Sequence, residues 1–320
     1  MRSDIRIIIL TIALAITFLP GKAQTNATHI NEDDYKSIGA KVEMLFPGGK
    51  SKALILSFDD GRVADRRLVK LMNRYGLAGT FHLNSKKLGT KDHLTREEIK
   101  DLFKGHEVSV HTVNHPNLTT LSRPEIISEV LEDRKELEKL TGYPVRGMAY
   151  PFGKYNDSIV EIINGLGIGY ARTVEDTHAF GIPEDFLKWR PTIHQFGKTD
   201  YKPNDTTNDQ KEMADFFRVV KHFLKTDSLA LMEVWGHSWE NDDAANRWSE
   251  MENFFKMVSK NHNICFSKQI ALTDYISAFR NLKFSVDQSM VTNLSSMDVF
   301  IKVNGRVFKI EAGSTKHVCQ

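Results

Sequence analysis

The sequence predicts an α/β protein in which parallel strands close into a (β/α) barrel with helices outside, followed by a small β appendage. From residue 51 onward, short apolar strands alternate with amphipathic helical stretches, a pattern that demands right-handed crossovers and a parallel sheet. Seven or eight such steps are readable, enough to close a barrel. Asp59, Asp60, Asn84, His111, Tyr150 and His237 each follow a strand directly, which gathers them on one rim.

In chain order, the first residues read as targeting sequence. Arg2 and Arg6 precede an apolar run from Ile7 to Leu19, then Pro20-Gly21 and a small-x-small site at Gly21-Lys22-Ala23. This describes a secretory signal peptide over 1–23, cleaved after Ala23, and hence a secreted or periplasmic protein. The run is shorter than the roughly 20 residues that span a bilayer, and no cysteine near the cleavage site suggests a lipid anchor. Arg2, Arg6 and Lys22 against Asp4 account for the formal +2 of the whole chain, so the remaining 297 residues are near neutral. Net charge gives no reason to expect nucleic acid or an acidic membrane as partner. Cys265, inside an apolar run, and Cys319 make no disulfide framework.

Ala53 to Phe58 is a nearly continuous apolar run, the pattern of a strand covered on both faces, and it leads into Asp59-Asp60-Gly61. Two neighbouring carboxylates repel when both are ionised and unpaired, so a site holding both needs a cation or a shifted pKa. Taken alone, Asp-Asp-Gly also reads as a polar turn with Gly61 at positive φ. A helix over Val63 to Tyr75 stops at Gly76, and a strand over Gly79 to Leu83 reaches Asn84. Thr95 to Glu98 is a capping box opening a helix that ends at Gly105; a strand over Glu107 to Val110 then delivers His111. A second capping box, Ser122 to Glu125, starts a long helix to Leu140, stopped by Gly142. Strands follow at Val145 to Tyr150, Tyr170 to Thr173 and Trp189 to His194, with a helix over Ile159 to Leu166. After a polar loop at 198–209 come a helix over 210–225, a strand from Leu229 to Val234 leading to His237, and a last strand and helix at Ile264 to Ser267 and Leu272 to Phe279.

Past Arg280 the period becomes two: Val299 to Val303 and Arg306 to Ile310 flank Asn304-Gly305, a strong hairpin signal. The expected organisation is a barrel domain over 24–280 and a β-hairpin appendage over 281–320. The appendage is expected to be structural or accessory: stopping near Asn281 removes the hairpin and exposes apolar surface such as Phe300 or Phe308, but leaves every candidate ligand in place.

His111-Thr112-Val113-Asn114-His115 sets two imidazoles four residues apart just after a strand, a spacing that lets both reach one metal from a single turn. Such pairs also occur as surface or capping histidines. With Asp59-Asp60 on a neighbouring strand, two histidines and a carboxylate make a three-ligand site with open positions for water and substrate.

Ser57-Phe58-Asp59-Asp60-Gly61, His111-Thr112-x-x-His115 and Arg146-Gly147-Met148-Ala149-Tyr150-Pro151-Phe152-Gly153 resemble, in order, the first three motifs of the polysaccharide deacetylases, carbohydrate esterase family 4. The resemblance covers roughly residues 50–270 and implies a distorted (β/α) barrel of seven or eight strands. It implies Asp60, His111 and His115 as metal ligands, Asp59 as general base, and Arg146 as the arginine that holds the base. The Phe152 N–H would belong to the oxyanion hole, beside Tyr150. His237 would be the general acid, although Trp235-Gly236 stands where the family pattern is Leu-x-His. Asp185 to Trp189 is the nearest match to the family's Trp motif, with altered spacing. Trp189, Trp235 and, less so, Trp239 suit a sugar groove, and each also suits a core position.

The function these features imply is a secreted, metal-dependent hydrolase removing N- or O-acetyl groups from a polysaccharide. The metal would be Zn²⁺, with Co²⁺, Ni²⁺ or Mn²⁺ as substitutes. A small-molecule amidohydrolase on the same site and a catalytically silent carbohydrate-binding protein are the alternatives; the intact Asp59 argues against the second. Which glycan, which acyl linkage and which oligomeric state are not encoded in these motifs.

Overall fold

The computed structural model describes residues 41–197, 209–242 and 247–318. The expected signal segment, most of the polar loop at 198–209 and Cys319 lie outside the described residues. In chain order the elements are β1 (Val42–Leu45), β2 (Lys52–Asp59), α1 (Asp65–Arg74), β3 (Thr80–Leu83), α2 (Ile99–Leu102), β4 (Glu107–Val110), α3 (Arg123–Thr141), β5 (Gly147–Ala149), α4 (Asp157–Gly165) and β6 (Tyr170–Arg172). There follow β7 (Ile193–His194), α5 (Asp209–Lys225), β8 (Ala230–Gly236), α6 (Arg247–Ser259), β9 (Ile264–Phe266) and α7 (Gln269–Arg280). The last strands are β10 (Lys283–Phe284), β11 (Met290–Thr292), β12 (Val299–Val303), β13 (Arg306–Ile310) and β14 (Thr315–His317).

Eight strands form one parallel sheet in the order β6-β5-β4-β3-β2-β8-β7, with β9 on the first half of β2. Residues 189–194 link its two edges, because Trp189 bridges to Arg172 on β6 while Ile193 and His194 pair with β8. The result is the expected distorted barrel. The capping box at Ser122 and Glu125 forms, and Gly142 closes α3 in the left-handed conformation at φ 78°. The helix after Thr95 is only one turn, Ile99–Leu102, although Glu98 caps the Thr95 N–H at 2.6 Å. Strand β7 is shorter than the expected 189–194, and α6 is a helix the sequence reading did not assign.

Alternation along the strands divides two environments. On β2, Leu54, Leu56 and Phe58 join the helices' core with Leu68 and Met72 of α1. The opposite row runs Ala53, Ile55, Ser57, Asp59 toward the carboxyl end, so the barrel interior begins apolar and turns polar. Ala53 and Ile55 share a second cluster with Tyr170, Trp189 and Leu231, and with α7 residues Leu272, Tyr275 and Ile276. That cluster also includes Val299, Ile301, Val303 and Ile310 from the C-terminal hairpin. The hairpin turns at Asn304 and Gly305, both at positive φ, and its strand β12 pairs antiparallel with β1. A second small sheet runs β10-β11-β14. Among the described residues, no helix is long and apolar enough to cross a membrane.

Candidate metal centre and active site

Strand β2 delivers Asp59 and Asp60 to the rim in opposite senses. Asp60 takes φ 82°, outside the region L-residues favour, and the turn away from the strand continues through Gly61 at φ 68°. Thr112, His115 and Phe152, at φ 68°, 60° and 57°, share this conformation. Four such non-glycine residues on one rim are a concentration of backbone strain of the kind found where side chains must be aimed.

The Asp60 carboxylate meets the two histidines that follow β4. Its Oδ1 lies 3.9 Å from His111 Nε2 and 3.9 Å from His115 Nε2, and the two imidazole centroids are 4.7 Å apart. Metal bonds of about 2.0–2.2 Å place donor atoms roughly 3–4 Å apart, so these spacings fit one ion. Asp60 Oδ1 is buried and has no hydrogen-bond partner, an orphaned acceptor that a cation would satisfy. His111 Nδ1 is 2.9 Å from the Ala149 carbonyl, which can only accept; the proton therefore sits on Nδ1, and Nε2 keeps its lone pair toward Asp60. Burial lowers the pKa of His111 and, with His111 beside it, brings that of His115 to about 4, so both stay neutral as ligands must be. Asn84 donates to the carbonyls of His111 and Thr112, and Asp133 of α3 accepts from the Ser85 and His111 N–H groups at 2.7 and 3.0 Å. These contacts fix the loop that carries the ligands.

Asp59 points the other way, into the barrel. Burial opposes its charge, but the Arg172 guanidinium outweighs it and holds the carboxyl well below its usual range. Arg172 Nη2 donates to both oxygens of Asp59, 2.6 Å to Oδ1, while Nε reaches Ser57 Oγ at 3.0 Å and Nη1 the Thr173 carbonyl at 2.8 Å. His82 Nδ1 is 3.1 Å from Asp59 Oδ1.

The expectation for Arg146 is thereby corrected. Arg146 precedes β5 with a partly exposed side chain and forms a fork with Asp274 of α7 at 3.1 and 2.5 Å. The arginine that holds Asp59 is Arg172, on the next strand. Because Tyr170 and Arg172 share the inward face of β6, the guanidinium enters the barrel where Arg146 cannot.

His237, just past β8, has Nε2 4.0 Å from Asp60 Oδ2 and Nδ1 2.7 Å from Glu240 Oε1. Burial disfavours its charge, yet Glu240 outweighs burial and raises its pKa to about 9. The aromatic expectations change. Trp189 is 1% exposed and packs between Tyr170 and Phe186, so it is a core residue rather than a groove wall. Trp235, 5% exposed, stacks over the Arg172 guanidinium at 4.7 Å and donates to Asp176 at 2.8 Å; it supports the arginine and offers no face to a sugar. Tyr150 is buried, with its hydroxyl on the Leu187 carbonyl at 3.0 Å, and does not reach the rim opening. Asp185 caps the turn beneath it by accepting from the Leu187 N–H at 2.8 Å.

Phe152 is 56% exposed, its ring edge-on to His115 at 4.5 Å. In its turn Gly153 donates to Tyr150 and Lys154 to Pro151, which leaves the Phe152 N–H as the amide the turn itself does not use. Trp239, half-buried, lies 5.2 Å from the His237 ring. Its ring is nearer to His237 than that of Trp235, at 6.2 Å, the reverse of the order expected from sequence.

Sequence reading missed Arg172, Glu240 and Asp133. Each left a signal: a charged residue in alternation with Tyr170 on a short strand, an acid three residues beyond His237, and an acid on the Ile126, Val130, Leu137 stripe of α3.

The sequence model of a family described as polysaccharide deacetylase matches residues 47–171. Among curated proteins, YxkH of Bacillus subtilis, assigned to the polysaccharide deacetylases, is 26% identical over 39% of this chain and 45% of its own. The peptidoglycan-N-acetylglucosamine deacetylase PgdA of Listeria monocytogenes is 26% identical over 44% of this chain and 30% of its own. The chain thus spans less than half the length of these relatives. A solved structure of a Mycobacterium smegmatis protein assigned to the same group covers 76% of this chain and 96% of that one at 13% identity and a TM-score of 0.57, which speaks for the fold.

Proposed function

Because the chain belongs to the polysaccharide deacetylase family, we propose that it hydrolyses N- or O-acetyl groups of a glycan with Asp60, His111 and His115 holding a divalent cation. Two nitrogens and one carboxylate suit Zn²⁺. Such a cation supplies a Lewis acid for the acyl carbonyl and acidifies a water beside it. Asp59, ionised by Arg172, takes the proton of the attacking water as its oxygen bonds to the acyl carbon. The Phe152 N–H, which its own turn leaves unused, donates to the developing oxyanion in this reading. As the carbon–nitrogen bond breaks, His237 gives its proton to the leaving nitrogen, and acetate and the free amine depart. For an ester the same proton goes to the leaving oxygen.

The observation that carries this reading is the division of two adjacent aspartates. Asp59 faces a guanidinium inside the barrel, and Asp60 presents an unsatisfied oxygen to two neutral imidazoles. The signal-like segment 1–23 supports action outside the cytoplasm, on cell-wall or captured acetylated polysaccharide. Acetate release from a panel of N- and O-acetylated glycans, with chelator and with Zn²⁺ restored, tests it. Chelator-sensitive release from at least one glycan is expected; release indifferent to chelator would refute metal dependence.

A further inference from the structure

Resting on that reading of His237 as the acid, we propose that Glu240, locked by His194 and Gln195, is the positioning residue that aims the His237 imidazole at the leaving group. Glu240 is fully buried in the turn after β8, and each of its carboxylate oxygens is engaged. Oε1 is 2.7 Å from His237 Nδ1 and 3.2 Å from His194 Nε2, and Oε2 accepts from Gln195 Nε2 at 2.5 Å. Gln195 Nε2 also donates to the His237 carbonyl at 2.5 Å, so one side chain ties the carboxylate to the backbone of the histidine it serves. A carboxylate held from three directions cannot swing. An imidazole bonded to it through Nδ1 therefore presents Nε2 to the reaction side, where Asp60 Oδ2 is 4.0 Å away.

The neighbouring sequence makes sense as parts of this device. A Cβ at Gly236 would meet Gln195 Cγ at 2.5 Å and Cδ at 2.8 Å, so glycine before His237 is what lets Gln195 come close enough to reach Glu240. His194, the last residue of β7, is fixed by its backbone N–H on Asp176 and by its ring against Trp235 at 4.6 Å. His194, His237 and Glu240 also have the makeup of a second metal cluster. Their nitrogen–oxygen separations of 2.7 and 3.2 Å are those of hydrogen bonds, which engage His237 Nδ1 and His194 Nε2 and leave His194 Nδ1 buried without a partner. A relay of side chains is the arrangement these distances describe.

The test uses the full chain loaded with Zn²⁺ and compares an N-acetylated glucosamine oligosaccharide with 4-nitrophenyl acetate, whose leaving group hardly needs a proton. In Glu240→Gln, kcat on the amide should fall about 100-fold, as for a misaimed general acid. KM should stay within about threefold, and the aryl ester should lose at least ten times less than the amide. Metal content should match the parent. Glu240→Asp, which keeps the charge one methylene further back, should recover part of the amide rate. Equal loss on both substrates, or no loss on the amide, overturns the proposal. Should Glu240→Gln fail to fold, Gly236→Ala displaces Gln195 instead and must show the same selectivity; equal loss there overturns it too. His237→Ala separates the two levels: selective loss in His237→Ala without selective loss in Glu240→Gln sinks only the role of Glu240, whereas no selectivity in His237→Ala sinks the acid assignment beneath it.

Discussion

Asp59 and Arg172 form an ion pair sealed from water, and such pairs are costly to break because the remaining charge is stranded. Lysine at 172 keeps the charge but not the planar fork that reaches Asp59, Ser57 and Thr173 together. Arg172→Lys should therefore lower kcat at least about tenfold with little change in bound metal, measured as acetate release beside metal analysis. Arg146→Ala should leave kcat within about twofold and cost no more than about 1 kcal/mol in denaturant titration, because its pair with Asp274 is partly exposed. A large rate loss in Arg146→Ala with Arg172→Lys intact would reverse the correction made above. The candidate ligand cluster was legible because Asp60, His111 and His115 lie in two short stretches whose spacing is itself geometric. Arg172 was not, because it meets Asp59 across 113 positions of sequence through the curl of the sheet. Only the parity of a strand whose boundaries were uncertain hinted at it. Trp189 and Trp235 were ambiguous for a related reason: aromatic character fits a groove and a core equally, and burial is a tertiary property.

At the scale of elements, the turns after β2, β4 and β5 matter as much as the strands. Gly153 sits at φ 63°, and a Cβ there would meet Val174 Cγ2 at 2.3 Å and the Val174 nitrogen at 2.9 Å. Gly153→Ala must move the turn that presents the Phe152 N–H, so kcat should drop roughly tenfold or more while metal stays bound. Unchanged kcat would remove Phe152 from the oxyanion site. The hairpin at Asn304-Gly305 was readable from its period and turn residues, but its pairing with β1 was not, because Val42 and Val303 lie at opposite ends of the chain. That pairing changes what truncation should do. Val299, Ile301, Val303 and Ile310 are fully buried in one cluster with Met44, Phe46 and Tyr275. Each contributes about 1.5–3 kcal/mol of burial, together comparable to the roughly 5–15 kcal/mol that stabilises a whole domain. A chain stopped at Asn281 should therefore be insoluble or lack a cooperative unfolding transition; a soluble, cooperatively folded truncation would show the hairpin to be accessory.

Across the whole molecule, the inward faces of the strands carry a polar column from the rim toward the apolar base. Asp59 touches His82, His82 lies beside Tyr170, and Tyr170 donates to Glu107 at 2.8 Å, which also accepts from Thr80 and the Ile270 N–H. Burial raises Glu107 to about 6 despite these donors. A folded-state pKa above the unfolded value near 4.5 means that the folded chain binds the extra proton. The associated stability, about 2 kcal/mol at most, is present below pH ~4.5 and lost as pH rises through about 6. In denaturant titrations at pH 4.5 and 7.5, Glu107→Gln should lack that loss, so the stability of the parent should fall relative to the variant as pH rises. A parallel pH dependence in the two proteins would show that Glu107 titrates normally. The column ends at the base on which the proposed chemistry depends, and the most direct measurement joins metal content and turnover in the same preparations: parent, His115→Ala and Asp59→Asn, each reconstituted with Zn²⁺ and assayed for acetate release from an acetylated glycan. The parent should bind metal stoichiometrically and release acetate, His115→Ala should lose both, and Asp59→Asn should keep its metal while turnover falls about 10² or more. Full metal and full turnover in His115→Ala, or loss of metal from Asp59→Asn, would contradict the division of the two aspartates.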